Sequence, residues 1–395
     1  MVIRFRQVGC MLGVLCAMIW MGNRGVASAA SWAECPFCSM QGQTLIGDIG
    51  QASMVLYGTF TNAQLNGNGQ EGGTTDLVVE AVIKKHEILG DQKKITLPRY
   101  IPPAEKGAKV KFLVFCDVFK GAIDPYRGVP VAADSNMVKY LQGALTCKDK
   151  PIGDRLRFYF DYLDDKEPEI SNDAYKEFGN ADYKDYREMA KHLPAAKIVK
   201  WMEDPETPAF RYGLYASMLG HCGTAKDGQV LRKMLDDPAK RAGSGVDGIL
   251  AGYFMLEPKQ GMNLLEGIMK DTQADFMYRY AALRAARFIW DAMPDSEHRG
   301  KLTGSVEQLL SQPDIADLAI EDLRKWSQWN AADQVFKLKG LKSHDVPIIK
   351  RSILRFALSC PGPKAAAIVA EWRKADPETV KDMEELIKLE AGPKA

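Results

Sequence analysis

From about residue 195 onward the chain repeats a helix-pair pattern, and this restricts its fold more than any other feature of the sequence. Ile198-Val199 with Met202 runs into Glu203-Asp204-Pro205, and Val230-Leu231 with Met234-Leu235 runs into Asp236-Asp237-Pro238. Leu264-Leu265 with Ile268-Met269 runs into Lys270-Asp271-Thr272, and Val306 with Leu309-Leu310 into Ser311-Gln312-Pro313. The turn positions 205, 238, 272 and 313 lie 33, 34 and 41 residues apart. A second set of apolar positions, Tyr215, Leu250, Leu283, Leu323 and Leu354, is spaced by 35, 33, 40 and 31. Two independent markers thus share one rough period. A lone helix pair cannot bury both faces of its apolar stripe, so successive pairs must stack.

The chain before this region reads differently. Met54–Phe60, Asp76–Ile83, Ile95–Leu97 and Val110–Cys116 are rich in β-branched and aromatic residues and read as strands. Asn66-Gly67-Asn68-Gly69 with Gly72-Gly73 reads as a polar hairpin tip rather than a phosphate cradle, because no helix follows the glycines. Short strands at this spacing predict a small barrel or sandwich, with one short helix over Asn136–Leu145 beside it. The acidic stretch Asp161-Tyr162-Leu163-Asp164-Asp165-Lys166-Glu167-Pro168-Glu169 reads as part of a polar linker. Beyond it the apolar period changes from two to 3.6.

Residues 1–30 have the layout of a secretory signal peptide: Arg4 and Arg6, an apolar run from Cys10 to Met21, and small residues at Ala27-Ser28-Ala29-Ala30. The run of twelve residues is too short to span a bilayer comfortably, which takes about 20. Leu15 precedes Cys16 where a lipoprotein signal has a small residue, so lipidation is discounted. No Asn-x-Ser/Thr acceptor occurs anywhere, which favours a bacterial exported protein over a eukaryotic glycoprotein. Fifty-two Lys and Arg against 51 Asp and Glu leave a formal charge of +1, so no global field steers the protein to nucleic acid or anionic lipid.

Variable unit length and the Ala/Leu-rich helix Arg279-Tyr280-Ala281-Ala282-Leu283-Arg284-Ala285-Ala286 resemble HEAT repeats over about Ala195–Leu389. That resemblance implies a curved solenoid used as a binding scaffold, and it implies no catalytic residues. Cys35 and Cys38 ahead of the Val55-Leu56-Tyr57-Gly58 strand are similar in layout to netrin-like and metalloprotease-inhibitor barrels of the OB type, over about Cys35–Cys147. Those barrels tie an N-terminal cysteine pair to the barrel. The inhibitors' metal-binding amine belongs to a cysteine at residue one, and cleavage before Cys35 would place Glu34 at the processing position.

Cys35-Pro36-Phe37-Cys38 is the sharpest local motif. A redox CxxC usually opens a helix after a core strand, and there is no room for that strand here. Covalent haem would need His where Ser39 stands, and a zinc site would need a second close pair, whereas Cys116 and Cys147 are 31 apart. Structural disulfides are the expectation in an oxidising compartment. Cys35 and Cys38 are expected to pair with Cys116 and Cys147, because closing a long loop restricts the unfolded chain most. Cys222 and Cys360, four repeat steps apart, are expected to remain unpaired thiols.

The other candidates are weaker. His86, His192, His221, His298 and His344 lack metal-site spacing, and the acidic run from Asp161 to Glu169 lacks the Gly and terminal Glu of a calcium loop. Trp326 and Trp329, three apart, suggest either an aromatic binding surface or core packing.

The fold class expected is therefore multidomain α+β. A signal peptide over 1–30 precedes a disulfide-tied β-barrel over 31–150, a polar linker over 151–172 and a helical HEAT-like repeat domain over 173–395. The function expected is that of an exported, non-enzymatic scaffold in the periplasm, at the cell surface or outside the cell. Its solenoid would bind a protein or extended peptide on the concave face, with no nucleic acid, membrane span or cofactor involved. The alternative is an exported thiol-disulfide or metal-dependent protein acting through Cys35-Pro36-Phe37-Cys38.

Overall fold

The structure is a computed structural model that describes residues 36–65, 72–102 and 110–390. The expected leader, Cys35 and the hairpin tip at Asn66–Gly69 lie outside the described residues.

A short helix α1 (Leu45–Gln51) leads into five strands: β1 (Met54–Leu65), β2 (Gly73–Lys84), β3 (Lys94–Leu97), β4 (Val110–Phe119) and β5 (Ala122–Ala132). They form one antiparallel sheet in the order β3-β2-β1-β4-β5. The period-two pattern sorts side chains onto two faces. Val55, Leu113 and Phe115 join the main core, while Met54, Leu56, Val114 and Cys116 join a smaller cluster with Leu77, Leu89, Ile95 and Leu97 on the opposite face. The expected closed barrel is not seen among the described residues: β3 and β5 stand at opposite edges of the sheet. Strand β5 is absent from the sequence expectation because Pro125, Gly128 and Pro130 interrupt it, a composition that sheets tolerate at an edge.

Helices follow without interruption. They are α2 (Met137–Cys147), α3 (Ile152–Phe160), α4 (Pro168–Gly179), α5 (Tyr183–Ala190), α6 (Ala195–Glu203), α7 (Tyr212–Cys222), α8 (Ala225–Asp236) and α9 (Pro238–Arg241). Next come α10 (Val246–Leu256), α11 (Pro258–Lys270), α12 (Phe276–Ala292), α13 (Arg299–Gln308) and α14 (Ala316–Lys325). The last four are α15 (Ala332–Lys337), α16 (Pro347–Ser359), α17 (Pro363–Ala375) and α18 (Pro377–Glu390).

The stretch 151–172 is not a polar linker. It carries α3 and the start of α4, and Leu156, Tyr159, Phe160, Leu163 and Ile170 are fully buried. Those residues recur at helical spacing, so the acidic groups between them form only the outer face of amphipathic helices. The main core runs through this stretch without a break, joining Val55 and Phe115 of the sheet to Leu250 and Leu323 of the helices.

The helical part stacks by alternation. Helix α7 packs on α10, α10 on α12, and α14 on α16, while α6 packs on α8 and α11 on α13. The five aligned positions Tyr215, Leu250, Leu283, Leu323 and Leu354 fall on α7, α10, α12, α14 and α16, and all are buried. The four turns fall just after α6, α8 and α11 and at the end of the segment that continues α13. This order is compatible with a helical repeat. Helices α7 and α10 approach closely: a Cβ on Gly248 would stand 2.5 Å from the Cα of Gly213, and one on Gly252 would stand 2.3 Å from the Ala216 carbonyl oxygen. Side-chain ion pairs cross successive units. Arg287 of α12 holds Asp322 of α14 through two contacts of 2.8 and 2.9 Å, and buried Arg279 reaches Asp314 at 2.6 and 3.0 Å.

Candidate functional site

The segment after Cys35 does not run along the sheet but crosses the helices. Phe37 is buried, with its ring edge-on to Phe288 of α12 at 4.7 Å. Arg284 Nη2 donates to the Pro36 carbonyl at 3.2 Å, and the Ser39 N–H donates to the Tyr175 hydroxyl at 3.1 Å. Asn180 exchanges two hydrogen bonds with the backbone of Gly42, at 2.9 and 2.8 Å, and buried Asp173 accepts the Leu45 N–H at 2.7 Å. Glycines on the helices make room for this path: a Cβ on Gly179 would lie 2.2 Å from the Met40 carbonyl oxygen, and one on Gly213 would lie 2.9 Å from that of Phe37. The segment is therefore fixed by helices α4, α7 and α12.

Beside it opens a cleft of about 490 Å³, lined by Phe37, Cys38, Arg241, Asp247, Tyr280 and Arg284 among others. The Gly243-Ser244-Gly245 loop forms one wall, and Gly245 takes a left-handed conformation (φ 82°) as α10 begins. Asp247, in the first turn of α10, is almost wholly buried. Its Oδ2 lies 2.9 Å from Arg284, an ion pair that falls short of hydrogen-bond geometry. Burial raises its carboxyl above the usual range against the pull of Arg284. Met277 projects into solvent at the rim, 62% exposed.

Cys38 is half-buried in this cleft wall and disulfide-bonded. Cys116 and Cys147 are free and buried, which overturns the expected pairing of Cys35 and Cys38 with them. Loop-closure entropy favours long loops only where the folded chain brings the sulfurs together. Here Cys116 is locked in the outer cluster of the sheet, Cys147 donates to the Ala144 carbonyl at the end of α2, and Cys38 sits among the helices. Cys222 and Cys360 are free, as expected, each donating to a nearby carbonyl. Burial pushes the Cys116 thiol up to about 12 and the Cys222 thiol up to about 11, and it raises Cys147 and Cys360 as well, so all four disfavour the reactive thiolate.

The remaining candidates disperse. His221 is bonded to the Tyr183 hydroxyl at 2.9 Å, and burial lowers its pKa to about 4. His344 meets the Leu310 carbonyl, His86 caps the turn at Ile88, and His298 packs on Phe254. The acidic run is divided among separate partners: Asp161 pairs with Arg157, Asp164 accepts from the Trp201 indole, and Glu167 accepts from Asn136. No group of three or more potential metal ligands occurs among the described residues. Trp326 is buried and stacks on Trp290 at 4.6 Å, and Trp329 packs edge-on to Phe356, so the pair forms no shared aromatic surface. No described helix is long and apolar enough to cross a membrane.

Asp247 and Arg284 escaped sequence reasoning as site residues because they lie more than 200 residues from Cys38, and Arg284 was read only as part of the Ala/Leu-rich repeat helix. The only local signal was Gly243-Ser244-Gly245, the loop that shapes the cleft wall. Compared with known proteins, the chain matches no family model, no curated protein and no solved structure.

Buried carboxyls make stability depend on pH. Loss of water is the main cause that raises Asp291 and Asp322 to about 6, and it raises Asp173 and Glu177 too. Between about pH 4 and 6 the folded chain keeps protons on Asp291 and Asp322 that the unfolded chain has released. Stability therefore falls as pH rises through that window, and thermal unfolding should occur a few degrees higher at pH 5 than at pH 7.5. Asp291→Asn should flatten the slope, and a melting temperature that climbs from pH 5 to 7.5 would refute this balance. Asp76, held at about 2 by its bonds from Thr96, Lys94 and Asn62, opposes the trend only below about pH 4, whereas His221, lowered by burial to about 4, opposes it between about pH 4 and 6.5 and offsets part of the slope.

Proposed function

We propose that the protein is an exported, non-enzymatic binding scaffold whose helices form a HEAT-like repeat and whose partner surface includes the cleft at Cys38. The leader-like residues 1–30 support export, to the periplasm, cell surface or exterior. The observation that carries the reading is the cleft itself. An apolar rim of Met277 and Tyr280, backed by the buried Phe37, is flanked by Arg241 and Arg284 on a helical wall. Such a surface suits an extended peptide that offers an apolar side chain next to an acidic one. The OB-like reading of the sheet supplies no ligand surface to this account.

The test is cross-linked capture from cells that export the protein, comparing wild type with Met277→Glu in the cleft and Lys226→Glu on exposed α8. Deleting the helices is no clean control, since sheet and helices share one core. A partner captured by wild type and Lys226→Glu should bind Met277→Glu at least tenfold more weakly when purified, on the scale of losing one apolar anchor. Equal capture by all three would remove the cleft from the binding surface.

A further inference from the structure

Two guanidinium groups line the cleft between α10 and α12 with most of their donors uncommitted. Arg284 gives one hydrogen bond among the described residues, to the Pro36 carbonyl, and Arg241 lies over the Tyr278 ring at 5.5 Å. The one carboxyl in the cleft wall, Asp247, is 6% exposed against 44% for the Arg284 side chain, so the acid lies beneath the cation. Its Oδ2 has no hydrogen-bond partner although Arg284 stands 2.9 Å away. The ion pair therefore steadies the guanidinium without consuming its N–H groups. The same wall holds the start of α10, where no side chain caps Gly245 and the N–H groups of Ser244, Gly245 and Val246 have no hydrogen bond among the described residues. At about 490 Å³ the cleft has the size of a small-molecule site, about 300–1,000 Å³, with room for the end of a chain.

We propose that the cleft receives the carboxyl terminus of a polypeptide whose last side chain is apolar. The inference rests on the binding reading above and identifies the acidic group of that peptide as its own terminal carboxylate. Two cations against one buried acid favour an anion, and a guanidinium offers a carboxylate parallel N–H donors. Unpaired N–H groups at a helix start favour negative charge as well, and chain ends are captured in this way. The spacing on α12 argues for the chain end. Met277, Tyr280, Ala281 and Arg284 follow at i, i+3, i+4 and i+7, one stripe of the helix, with apolar surface and cation about one turn, or about 5.4 Å, apart. In an extended peptide neighbouring side chains point to opposite faces, so an internal acid and the apolar residue beside it cannot both meet that stripe. A last residue carries its carboxylate and its side chain on the same Cα and meets both. Asp247 acts as a positioning residue that holds Arg284 at the stripe's end.

The experiment changes the ligand before it changes the protein. Purified protein is offered two pools of hexapeptides that end in Leu, Met or Phe after randomised positions, one pool with free carboxyl termini and the other with terminal amides. Retained peptides are read by mass spectrometry, and the affinities of the best are measured by fluorescence anisotropy. The expected result is retention from the free-acid pool, with each selected peptide binding about tenfold more tightly than its own amide. Arg241→Gln and Arg284→Gln, checked for folding by circular dichroism, should bring acid and amide closer together, and Lys226→Glu on α8 should leave their ratio unchanged. Equal affinity for acid and amide, or no retention from the free-acid pool, would overturn the proposal. Equal affinity that is still lost in Met277→Glu would leave peptide binding at the cleft standing while removing recognition of the chain end. A preference for the acid that survives both arginine substitutions in folded protein would overturn the assignment to this cleft.

Discussion

Gly248→Val is expected to abolish folding of the helical core. Its Cβ would stand 2.5 Å from both the Cα and the carbonyl oxygen of Gly213, and these are backbone atoms of α7 that cannot rotate away. Helix α10 is buried along most of its length and contacts α7, α8, α11 and α12, so displacing it disturbs neighbours on both sides. Overpacking ordinarily costs about 1–3 kcal/mol, and a clash of backbone with backbone exceeds that range. Gly267→Val is the matched control, because a Cβ there meets nothing within 4 Å. Soluble expression and circular dichroism should show an unfolded or aggregated Gly248→Val and a folded Gly267→Val; a native-like melt for Gly248→Val would mean that α7 and α10 do not approach this closely.

Phe37→Ala should destabilise the protein by about 3 kcal/mol, the usual cost of deleting a buried aromatic ring. The ring fills the space against Phe288, and Phe288 in turn packs edge-on to Tyr183 at 5.0 Å. The loss should therefore reach the buried cluster of Tyr183, Tyr186 and His221. Denaturant unfolding measures the stability, and hydrogen exchange should show faster exchange at residues 37–42 and in α5. A change below about 0.5 kcal/mol would mean that the segment is not seated on the helices.

The helical order was legible because its signal is local and repeated. Apolar residues must recur on the faces that touch neighbouring units, and the five positions from Tyr215 to Leu354 all lie on the buried faces of alternating helices. The strands at Met54 and Val110 were legible for the same reason. The stretch 151–172 was misread because its charges were weighed above the spacing of Leu156, Tyr159, Phe160 and Leu163. The sheet's openness, the seat of Phe37 and the company of Cys38 depend on contacts between distant residues, such as Arg284 with Pro36 across 248 positions. One chain's periodicity carries no trace of such contacts. The cysteine pairing failed on the same ground, since unfolded-chain entropy ranks loops without saying which sulfurs meet.

The account turns on where the N-terminal motif belongs, and a peptide map of the native, unreduced protein decides it. Free thiols are alkylated in denaturant without reductant, and the digest is read for linked peptides. Alkylated Cys116, Cys147, Cys222 and Cys360, with Cys38 linked to Cys35, is the result expected from a motif seated in the helical cleft. A linkage of Cys38 to Cys116 or Cys147 would place the motif at the sheet or at the end of α2 and contradict its seat in the helical cleft.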